Sequence, residues 1–284
     1  MAGIVYVNGQ YLRSHDARVH IEDRGYQFAD GIYEVCLVID GRYWDAEGHL
    51  DRMDRSLREL QISPPMSRNS LGAVMAELLT RNRLKNALVY IQVTRGVAPR
   101  NHLFPAPETP AALVMTARRF DLDASDERAR VGVSVITQPD IRWGRVDIKS
   151  VSLLPNVLAK QAAFEAGAAE ALLVKDGKIT EGSSSNAWIV DQSGAIITHP
   201  KGEDILGGIT RETAIACARD LQIKIEERPF TVEEAMQAKE AFITAATVLV
   251  MPVVAIDGRQ IGDGAPGPIA GRLREAYKDR ARLA

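Results

Sequence analysis

The stretch DIKSVSLLPNVLAKQ, residues 147–161, places Lys149 between an apolar strand end and a Ser/Leu-rich link to a predicted helix. A lysine forms a Schiff base only through its neutral amine, and apolar surroundings favour that form over the ammonium. The apolar neighbours in the sequence are Ile148, Val151, Leu153 and Leu154. From these residues alone, a reactive lysine and a solvated lysine at a strand edge both remain open.

The composition is that of an ordinary globular protein. The chain has 284 residues, 46% hydrophobic and 25% charged, with a formal net charge of -2. Because there is no basic surplus, nucleic-acid binding is not expected. Cys36 and Cys217 lie far apart in apolar runs without metal-ligand spacing, so we expect buried thiols in a reducing cytosol and no metal site.

No segment of the sequence has the pattern of a targeting or membrane-spanning element. The start, MAGIVYVNGQ, lacks the basic and apolar regions of a signal peptide. The longest apolar stretch, residues 241–256, contains Pro252 and is too short and too rich in β-branched residues for a membrane span. We therefore expect a cytoplasmic protein without membrane contact, and two core strands in this stretch.

Short turns and periodic helices alternate along the chain. Asn-Gly and Asp-Gly pairs between strand-like segments predict four type I′ hairpins, since these residues tolerate positive φ angles. The pairs are Asn8-Gly9, Asp40-Gly41, Asp176-Gly177 and Asp257-Gly258. Within residues 45–62, apolar residues recur every three or four positions, which predicts an amphipathic helix.

The order of these elements predicts an α+β fold with two domains, because strands and helices do not alternate strictly. We expect a small N-terminal α/β domain over residues 1–120 and a larger C-terminal domain over residues 131–284. Between them, residues 121–130 read DLDASDERAR, a polar segment nearly free of large apolar groups. This composition predicts a linker.

Two further segments carry groups suited to a polar ligand. Residues 178–186, KITEGSSSN, combine Glu181 with three serines, which indicates either a ligand-facing loop or a simple polar turn. Residues 207–221 begin with two glycines that lead into a helix, where exposed amides suit a phosphate. The alternative for that segment is that Thr210 only caps the helix.

A Gly/Pro-containing loop carries several cationic groups. Residues 94–105, TRGVAPRNHLFP, contain Arg95, Arg100 and His102. Cationic side chains on a rigid loop suit a small anion such as a carboxylate. A solvated surface loop is the alternative.

Together, six ordered motifs resemble those of the fold-type IV pyridoxal-phosphate aminotransferases, in particular the D-amino-acid aminotransferase branch. The motifs are RGYQFADGIYEV, HLDR, TRGVAPRNHLFP, DIKSVSLLPNVLAKQ, TEGSSSN and GITR. The resemblance spans about residues 4–260, and agreement of all six in order is specific where each alone is not. It implies the two-domain fold of that family and pyridoxal 5′-phosphate as cofactor.

The resemblance also implies roles for single residues at the cofactor. Lys149 is expected to bind the cofactor covalently and to move the substrate proton. Glu181 is expected to face the pyridine nitrogen, and Arg52 to bind the phosphate. The other implied cofactor contacts are Leu206 against the ring, and Ile209, Thr210, Ala246 and Thr247 around the phosphate.

The position of Ala246 departs from the family pattern. Related enzymes usually have a hydroxyl-rich turn there, whereas this chain has Ala245-Ala246 before Thr247. An alanine offers only its backbone N–H, and one missing hydrogen bond costs about 0.5–1.5 kcal/mol. We therefore expect somewhat weaker cofactor retention than in relatives that have the hydroxyl.

For the substrate, the resemblance implies a carboxylate-binding trap formed by Tyr33, Arg100 and His102. In the family, the loop that carries the last two residues reaches across from a neighbouring subunit, which implies a homodimer. The position of the carboxylate decides which enantiomer presents its Cα hydrogen to Lys149, and the Arg-x-His arrangement resembles the D-selective one.

The expected activity is ping-pong transfer of amino groups between D-amino acids, such as D-alanine and D-glutamate, and 2-oxo acids. A branched-chain L-amino-acid aminotransferase or an aminodeoxychorismate-lyase-like, pyruvate-releasing member of the same fold is the alternative. Two alternatives of other classes are a non-catalytic binding protein with this fold and a cofactor-independent Schiff-base enzyme such as an aldolase.

Overall fold

The computed structural model describes residues 3–283 and divides the chain into two compact units. The first unit comprises the chain up to Asp121 together with Ile148–Ser152. The second comprises Leu122–Asp147 and the chain from Leu153 onward. Helices and sheets occur in both units, which confirms the α+β class.

The first unit is built on an antiparallel sheet. The helices and strands of this unit are β1 Ile4–Val7, β2 Gln10–Arg13, α1 Arg24–Phe28, β3 Gly31–Ile39, β4 Arg42–Trp44, α2 Ala46–Glu59, α3 Arg68–Asn82, β5 Ala87–Thr94 and β6 Ala112–Arg119. Within the described residues, six strands form the sheet in the order β2-β1-β6-β5-β3-β4. The predicted periodicity of residues 45–62 is confirmed, because Met53 and Leu57 of α2 are buried in one core with Ile32 and Val38 of β3.

The second unit is built on a mixed sheet. The helices and strands are α4 Leu122–Val131, β7 Val133–Pro139, α5 Leu154–Glu165, β8 Glu170–Lys175, β9 Lys178–Gly182, β10 Asn186–Val190, β11 Ile196–Thr198, α6 Ile209–Asp220, β12 Ile225–Glu227, β13 Phe230–Thr231, α7 Val232–Met236, β14 Glu240–Ala245, β15 Leu249–Ile256, β16 Arg259–Gln260 and α8 Pro268–Leu283. The strand order is β12-β11-β10-β14-β15-β7-β8-β9-β13, with β16 paired to β15. The pairs β15/β7, β7/β8 and β11/β12 are parallel.

The four predicted hairpins are confirmed. Both residues of each Asn-Gly or Asp-Gly pair have positive φ angles, from 44° at Asn8 to 94° at Gly9. Strand pairing closes directly on each turn, as in the pairs Val7 with Gln10 and Ile39 with Arg42. The two core strands expected in residues 241–256 are also present, as β14 and β15.

Residues 121–130 are not a linker, contrary to the prediction, because nearly all of them belong to α4. Ala129 is buried in the core of the second unit. Asp126 lies 2.9 Å from Arg274 and 2.7 Å from Lys278, both in α8. The composition was misleading because this helix packs through a small residue and ion pairs rather than through large apolar side chains.

The segment around Lys149 also departs from the predicted domain division. Residues 149–151 pair with the start of β3, where the N–H of Tyr33 donates to the carbonyl of Lys149 at 3.0 Å and that of Val151 to Gly31 at 3.0 Å. This edge of β3 is open because β4 pairs only with Leu37–Ile39. Backbone groups on an open edge need partners, and this distant segment supplies them.

None of the helices within residues 3–283 combines the length and the apolar character needed to cross a membrane.

Candidate active site

Lys149 and Tyr33, both predicted site residues, lie side by side in the first unit. Lys149 Nζ is 4.1 Å from the centroid of the Tyr33 ring, and that ring stacks on Tyr90 at 5.7 Å. Burial, and then the neighbouring Tyr33, raise the pKa of Tyr90 to about 12. The Lys149 side chain therefore rests on the first ring of a stacked aromatic pair.

The apolar neighbours predicted for Lys149 are only partly realised. Ile148 is buried in the core of the first unit with residues of β3 and α2. Leu154, in contrast, begins α5 and is 69% exposed. The aromatic ring of Tyr33, which the sequence did not place beside Lys149, lies 4.1 Å from its Nζ.

Arg52, predicted to bind a phosphate, is held by a buried carboxylate. Its Nε and Nη2 donate to the two carboxylate oxygens of Glu34 at 2.7 and 2.8 Å, and His49 Nδ1 lies 2.8 Å from Glu34 Oε2. Burial raises the pKa of Glu34, but the charge and hydrogen bonds of Arg52, joined by His49, outweigh it and hold the pKa at about 2. A bidentate pair of this kind fixes the plane of the guanidinium.

Glu34 and His49 were not among the predicted site residues. Glu34 is only 1% exposed and lies in a strand of otherwise apolar or aromatic residues. A charge at such a position requires a partner, so its place in GIYEV was a usable signal. Nothing in the sequence, however, identifies α2 as the source of that partner.

Glu181, predicted to face the pyridine nitrogen, lies near the end of β9 in the second unit and is buried. Its Oε2 accepts hydrogen bonds from Asn186 Nδ2 at 2.9 Å and from the Leu206 N–H at 3.1 Å. Its Oε1 accepts one from Arg142. The carboxylate is therefore fixed from both oxygens by side chains and backbone of its own unit.

Arg142 and Asp140 form the outer part of this cluster and were not predicted. Arg142 donates to Asp140 at 2.8 and 2.6 Å and also to Glu181. Burial lowers the pKa of Arg142, but hydrogen bonding to Asp140 and the charge of Glu181 outweigh it and raise the pKa above its usual value. The segment DIRW follows β7 directly, and its closely spaced opposite charges were the only sequence signal.

The serines after Glu181 contact the protein itself. Ser183 and Ser184 donate to the buried carboxylate of Glu170, the latter at 2.7 Å, and Ser185 lies 3.3 Å from it. These contacts favour the simple polar turn over the ligand-facing loop as the role of the hydroxyls. They brace the turn between β9 and β10, which carries Glu181 and Asn186 at its two ends.

The N-terminus of α6 has an unsatisfied hydroxyl. Its N-cap is Gly208, which supplies no side-chain cap, so the alternative that Thr210 caps the helix is wrong. Thr210 Oγ1 is buried and has no hydrogen-bond partner within residues 3–283. A Cβ at position 208 would lie 2.0 Å from Asn186 Oδ1, so only glycine fits there.

Ala246 and Thr247 lie at the same end of the sheet. They form part of the turn between β14 and β15 and are half-buried. In the pairing of β10 with β14, Asn186 is opposite Thr244. The turn that contains Ala246 therefore directly follows β14, the strand that pairs with β10 at Asn186. Asn186 itself donates a hydrogen bond to Glu181.

Arg100 and His102 lie on an exposed loop of the first unit, residues 96–104, which we call the 96–104 loop. The Arg100 guanidinium carbon is 4.5 Å from the centroid of the Phe28 ring, and the His102 ring centroid is 5.3 Å from it. Both therefore contact α1, whereas Tyr33 contacts Lys149. Arg95 does not belong with them, because its guanidinium is buried against Asp30 at 2.7 and 2.9 Å.

We expect Glu34→Gln to lower the free energy of unfolding by about 3 kcal/mol at pH 7, because it leaves Arg52 without its buried counter-charge. The folded pKa of Glu34 lies near 2, below the unfolded value of 4.5, so its stabilising contribution is present above about pH 4.5 and is lost as the pH falls towards 2. The difference between the two proteins should therefore shrink in acid. Urea unfolding followed by circular dichroism measures it.

The matched control is Glu77→Gln, which removes the same group from a half-exposed pair with Arg81. That change should cost less than about 0.5 kcal/mol. Equal losses from both variants would contradict a special role for the buried pair.

Within residues 3–283, no group of three or more His, Cys, Asp or Glu side chains is arranged to hold a metal ion. The first unit contains an amine on an aromatic ring and a guanidinium fixed by a buried carboxylate. The second unit contains a fixed carboxylate and, among the described residues, a hydroxyl without a hydrogen-bond partner at a helix N-terminus.

Comparisons with known proteins point to one family. The sequence model of the family described as amino-transferase class IV matches residues 31–256. The chain is 42% identical over 273 residues to a D-alanine aminotransferase of Staphylococcus haemolyticus, covering 96% of each. It is 41% identical over 275 residues to a D-alanine aminotransferase of Bacillus licheniformis, covering 97% of this chain and 96% of that one.

A solved structure gives the same result for the fold. The branched-chain aminotransferase of the thermophilic archaeon Thermoproteus uzoniensis, solved with norvaline, has a TM-score of 0.84 and 26% sequence identity. The similarity covers 97% of this chain and 93% of that one.

Proposed function

Because the chain belongs to the class IV aminotransferase family, we propose that it transfers amino groups between D-amino acids and 2-oxo acids with pyridoxal 5′-phosphate as cofactor. The observation that supports this proposal is the sequence identity of 41–42% to two D-alanine aminotransferases over nearly the whole length of each chain. The branched-chain enzyme of Thermoproteus uzoniensis is only 26% identical.

The residues of the second unit fit the cofactor. Thr210 contributes a buried hydroxyl without a partner in the described part of the chain, and the amides at the start of α6 suit a phosphate. Gly208 lets the start of α6 approach the Asn186 side chain, since a Cβ at that position would lie 2.0 Å from Asn186 Oδ1. Glu181 is the fixed carboxylate for the pyridine nitrogen, Leu206 the apolar residue against the ring, and Ile209, Ala246 and Thr247 provide the other phosphate contacts.

The residues of the first unit supply the amine and a cation. Lys149 is the covalent attachment point and the acid-base group that moves the proton of the substrate Cα. Arg52, held in one orientation by Glu34, binds the phosphate. When bound, pyridoxal 5′-phosphate supplies the electron sink for the charge that develops at Cα.

Glu181 holds a proton at the pyridine nitrogen, because an anionic carboxylate there favours the protonated ring. Asn186, Leu206 and Arg142 keep that carboxylate in place. Since the groups are already hydrogen-bonded to one another, little reorganisation is needed when charge develops during the reaction. The two half-reactions follow a ping-pong order, in which the first product leaves before the second substrate binds.

The hand of the substrate follows from the place of its carboxylate. The Cα–H bond must point to Lys149, so an anion site formed by Tyr33, Arg100 and His102 sets which enantiomer meets this requirement. The presence of the Arg-x-His pattern in the 96–104 loop supports the D-selective arrangement.

We expect D-alanine to change the visible spectrum of the cofactor-loaded protein within one half-reaction, and L-alanine to do so far more slowly. Lys149→Ala should abolish the fast change with either enantiomer, because the proton-moving amine is lost. Rapid-mixing absorbance spectroscopy measures both.

Steady-state assays separate the alternatives. Faster amination of pyruvate by L-leucine or L-glutamate than by D-glutamate would favour the branched-chain alternative. Pyruvate release over many turnovers without an amino acceptor would favour the lyase-like alternative. A spectrum unchanged by any amino acid would point to a non-catalytic binding protein.

The phosphate site predicts opposite effects of two substitutions. Thr210→Val should weaken pyridoxal 5′-phosphate binding about tenfold, because a hydrogen bond to a charged group is lost. Ala246→Thr should strengthen it by adding a hydroxyl that relatives have. Fluorescence titration of the apoproteins with the cofactor gives both affinities.

Thr244→Val is the control for the first substitution, since Thr244 Oγ1 accepts a hydrogen bond from Trp188 at 2.9 Å. It should lower the stability of the apoprotein, whereas Thr210→Val should not. Unchanged cofactor affinity in Thr210→Val, or easier cofactor release from Ala246→Thr, would argue against this phosphate site.

We further propose a homodimer in which the 96–104 loop of one subunit completes the site of the other. In support, Arg100 and His102 are exposed, and Leu103 and Phe104 beside them are 74% and 57% exposed. Exposed apolar groups on a loop are typical of an interaction surface. We also propose a cytoplasmic location, because Cys36 and Cys217 are both buried free thiols.

The dimer proposal predicts complementation between two impaired variants. Lys149→Ala and Arg100→Ala subunits should each be nearly inactive alone. If they are mixed and reassembled at random, half of the dimers contain one intact site, so about a quarter of the original activity should return. Activity that stays at the level of the separate variants would show that loop and lysine act in the same subunit.

A further inference from the structure

We propose that Phe28 and Arg24, both in α1, are positioning residues that hold the 96–104 loop in the conformation that presents Arg100 and His102 to the substrate carboxylate. This inference rests on the proposed function. It adds two residues that support Arg100 and His102, the side chains proposed to bind the substrate. None of the sequence motifs assigns a role to either residue.

Phe28 contacts both of the side chains expected to bind the carboxylate. Its ring centroid is 4.5 Å from the Arg100 guanidinium carbon and 5.3 Å from the centroid of the His102 ring, which is tilted by 52°. A guanidinium over an aromatic face is attracted by the ring quadrupole. Phe28 is half-buried, so a partly anchored ring supports two otherwise exposed side chains.

Arg24 fixes the backbone between those two side chains. Its Nη1 donates to the carbonyl oxygen of Asn101 at 2.6 Å, and its guanidinium carbon lies 4.8 Å from the Phe28 ring centroid. Asn101 separates Arg100 from His102 in the sequence, and its side-chain oxygen accepts a hydrogen bond from the Leu103 N–H at 3.0 Å. The loop tip is therefore tied to α1 through side chain and backbone.

Arg24 is itself held by a buried carboxylate that it shares with Arg95. Asp30 accepts from Arg24 Nε at 2.8 Å and from Arg95 Nε at 2.7 Å. Burial raises the pKa of Asp30, but hydrogen bonds from Arg95 and Arg24 outweigh it and lower the pKa below its usual value. Arg95 also donates to the carbonyls of Leu60 and Gln61 at the end of α2. Asp30 is thus a charged anchor for the loop.

The base of the loop is anchored independently of these side chains. The Arg24 N–H donates to the Gly96 carbonyl at 2.9 Å. Gly96 has a φ of 93°, and a Cβ there would lie 2.1 Å from the Pro110 carbonyl oxygen. Since the base is already held, the contacts of Phe28 and Arg24 with residues 100–102 serve the tip, where the carboxylate is expected to bind. Fixing a binding loop in advance reduces the entropy cost of binding.

The test is Phe28→Leu, which removes the ring but keeps an apolar side chain. With D-alanine as donor, KM should rise about fivefold, the loss expected for a cation–π contact, while kcat and cofactor affinity stay close to those of the unchanged protein. The preference for D-alanine over L-alanine should fall, because the carboxylate is held less firmly. Phe28→Tyr, which keeps an aromatic face, should restore both values.

The matched control is Phe164→Leu, the same change at a 77% exposed position in α5, which should leave all of these values unchanged. An unchanged KM in Phe28→Leu, or no recovery in Phe28→Tyr, would overturn the inference. A rise in KM in Phe164→Leu as large as that in Phe28→Leu would also overturn it.

Hydrogen exchange separates a failure of this inference from a failure of the proposed function, because it needs no activity. Without substrate, the amides of residues 100–104 should exchange faster in Phe28→Leu and in Arg24→Lys, which keeps the buried charge but loses the fork that reaches Asn101. Unaltered exchange in both variants would overturn the inference, even if the unchanged protein transaminates D-alanine. Absence of transamination by the unchanged protein, with faster exchange in the variants, would count only against the proposed function.

Discussion

The backbone pairing of residues 149–151 with the open edge of β3 is the constraint on which the rest of the first unit's site depends. It brings Lys149 from a distant part of the chain to the ring of Tyr33. The next residue of the same strand, Glu34, holds Arg52. The strand β3 thus sets the positions of the Lys149 amine and of the Arg52 guanidinium. A shift of its pairing by one residue would turn the Tyr33 and Glu34 side chains to the opposite faces of the sheet.

In the second unit, most buried polar groups of the candidate site have hydrogen-bond partners in the protein, and the proposed phosphate contact is a group without one among the described residues. Glu181 and Glu170 each accept several hydrogen bonds from their own unit. The hydroxyl of Thr210 has none in the described part of the chain. Because an unsatisfied buried hydroxyl is costly, its position at the start of α6 has the physical character expected of a phosphate contact.

Much of the fold could be predicted from the sequence, and the errors share one cause. The hairpin at Asp40-Gly41 and the helix over residues 45–62 were predicted correctly from turn chemistry and periodicity. The composition of residues 121–130 predicts a linker because it does not show that Asp126 finds its partners in α8. For the segment after Glu181, a ligand-facing loop and a polar turn remain open in the sequence, because Glu170, the acceptor of the serine hydroxyls, precedes them by a whole hairpin.

The sequence by itself determined the local elements and the family, because turns, helix periodicity and ordered motifs depend on residues close together in the chain. Only the tertiary structure decided which groups neutralise the buried charges. The Arg partner of Glu34 lies 18 residues away, that of Glu181 lies 39, and one of the two that Asp30 has, Arg95, lies 65. No local pattern encodes these pairs, because a buried charge selects whichever donor the packed backbone brings within hydrogen-bond distance.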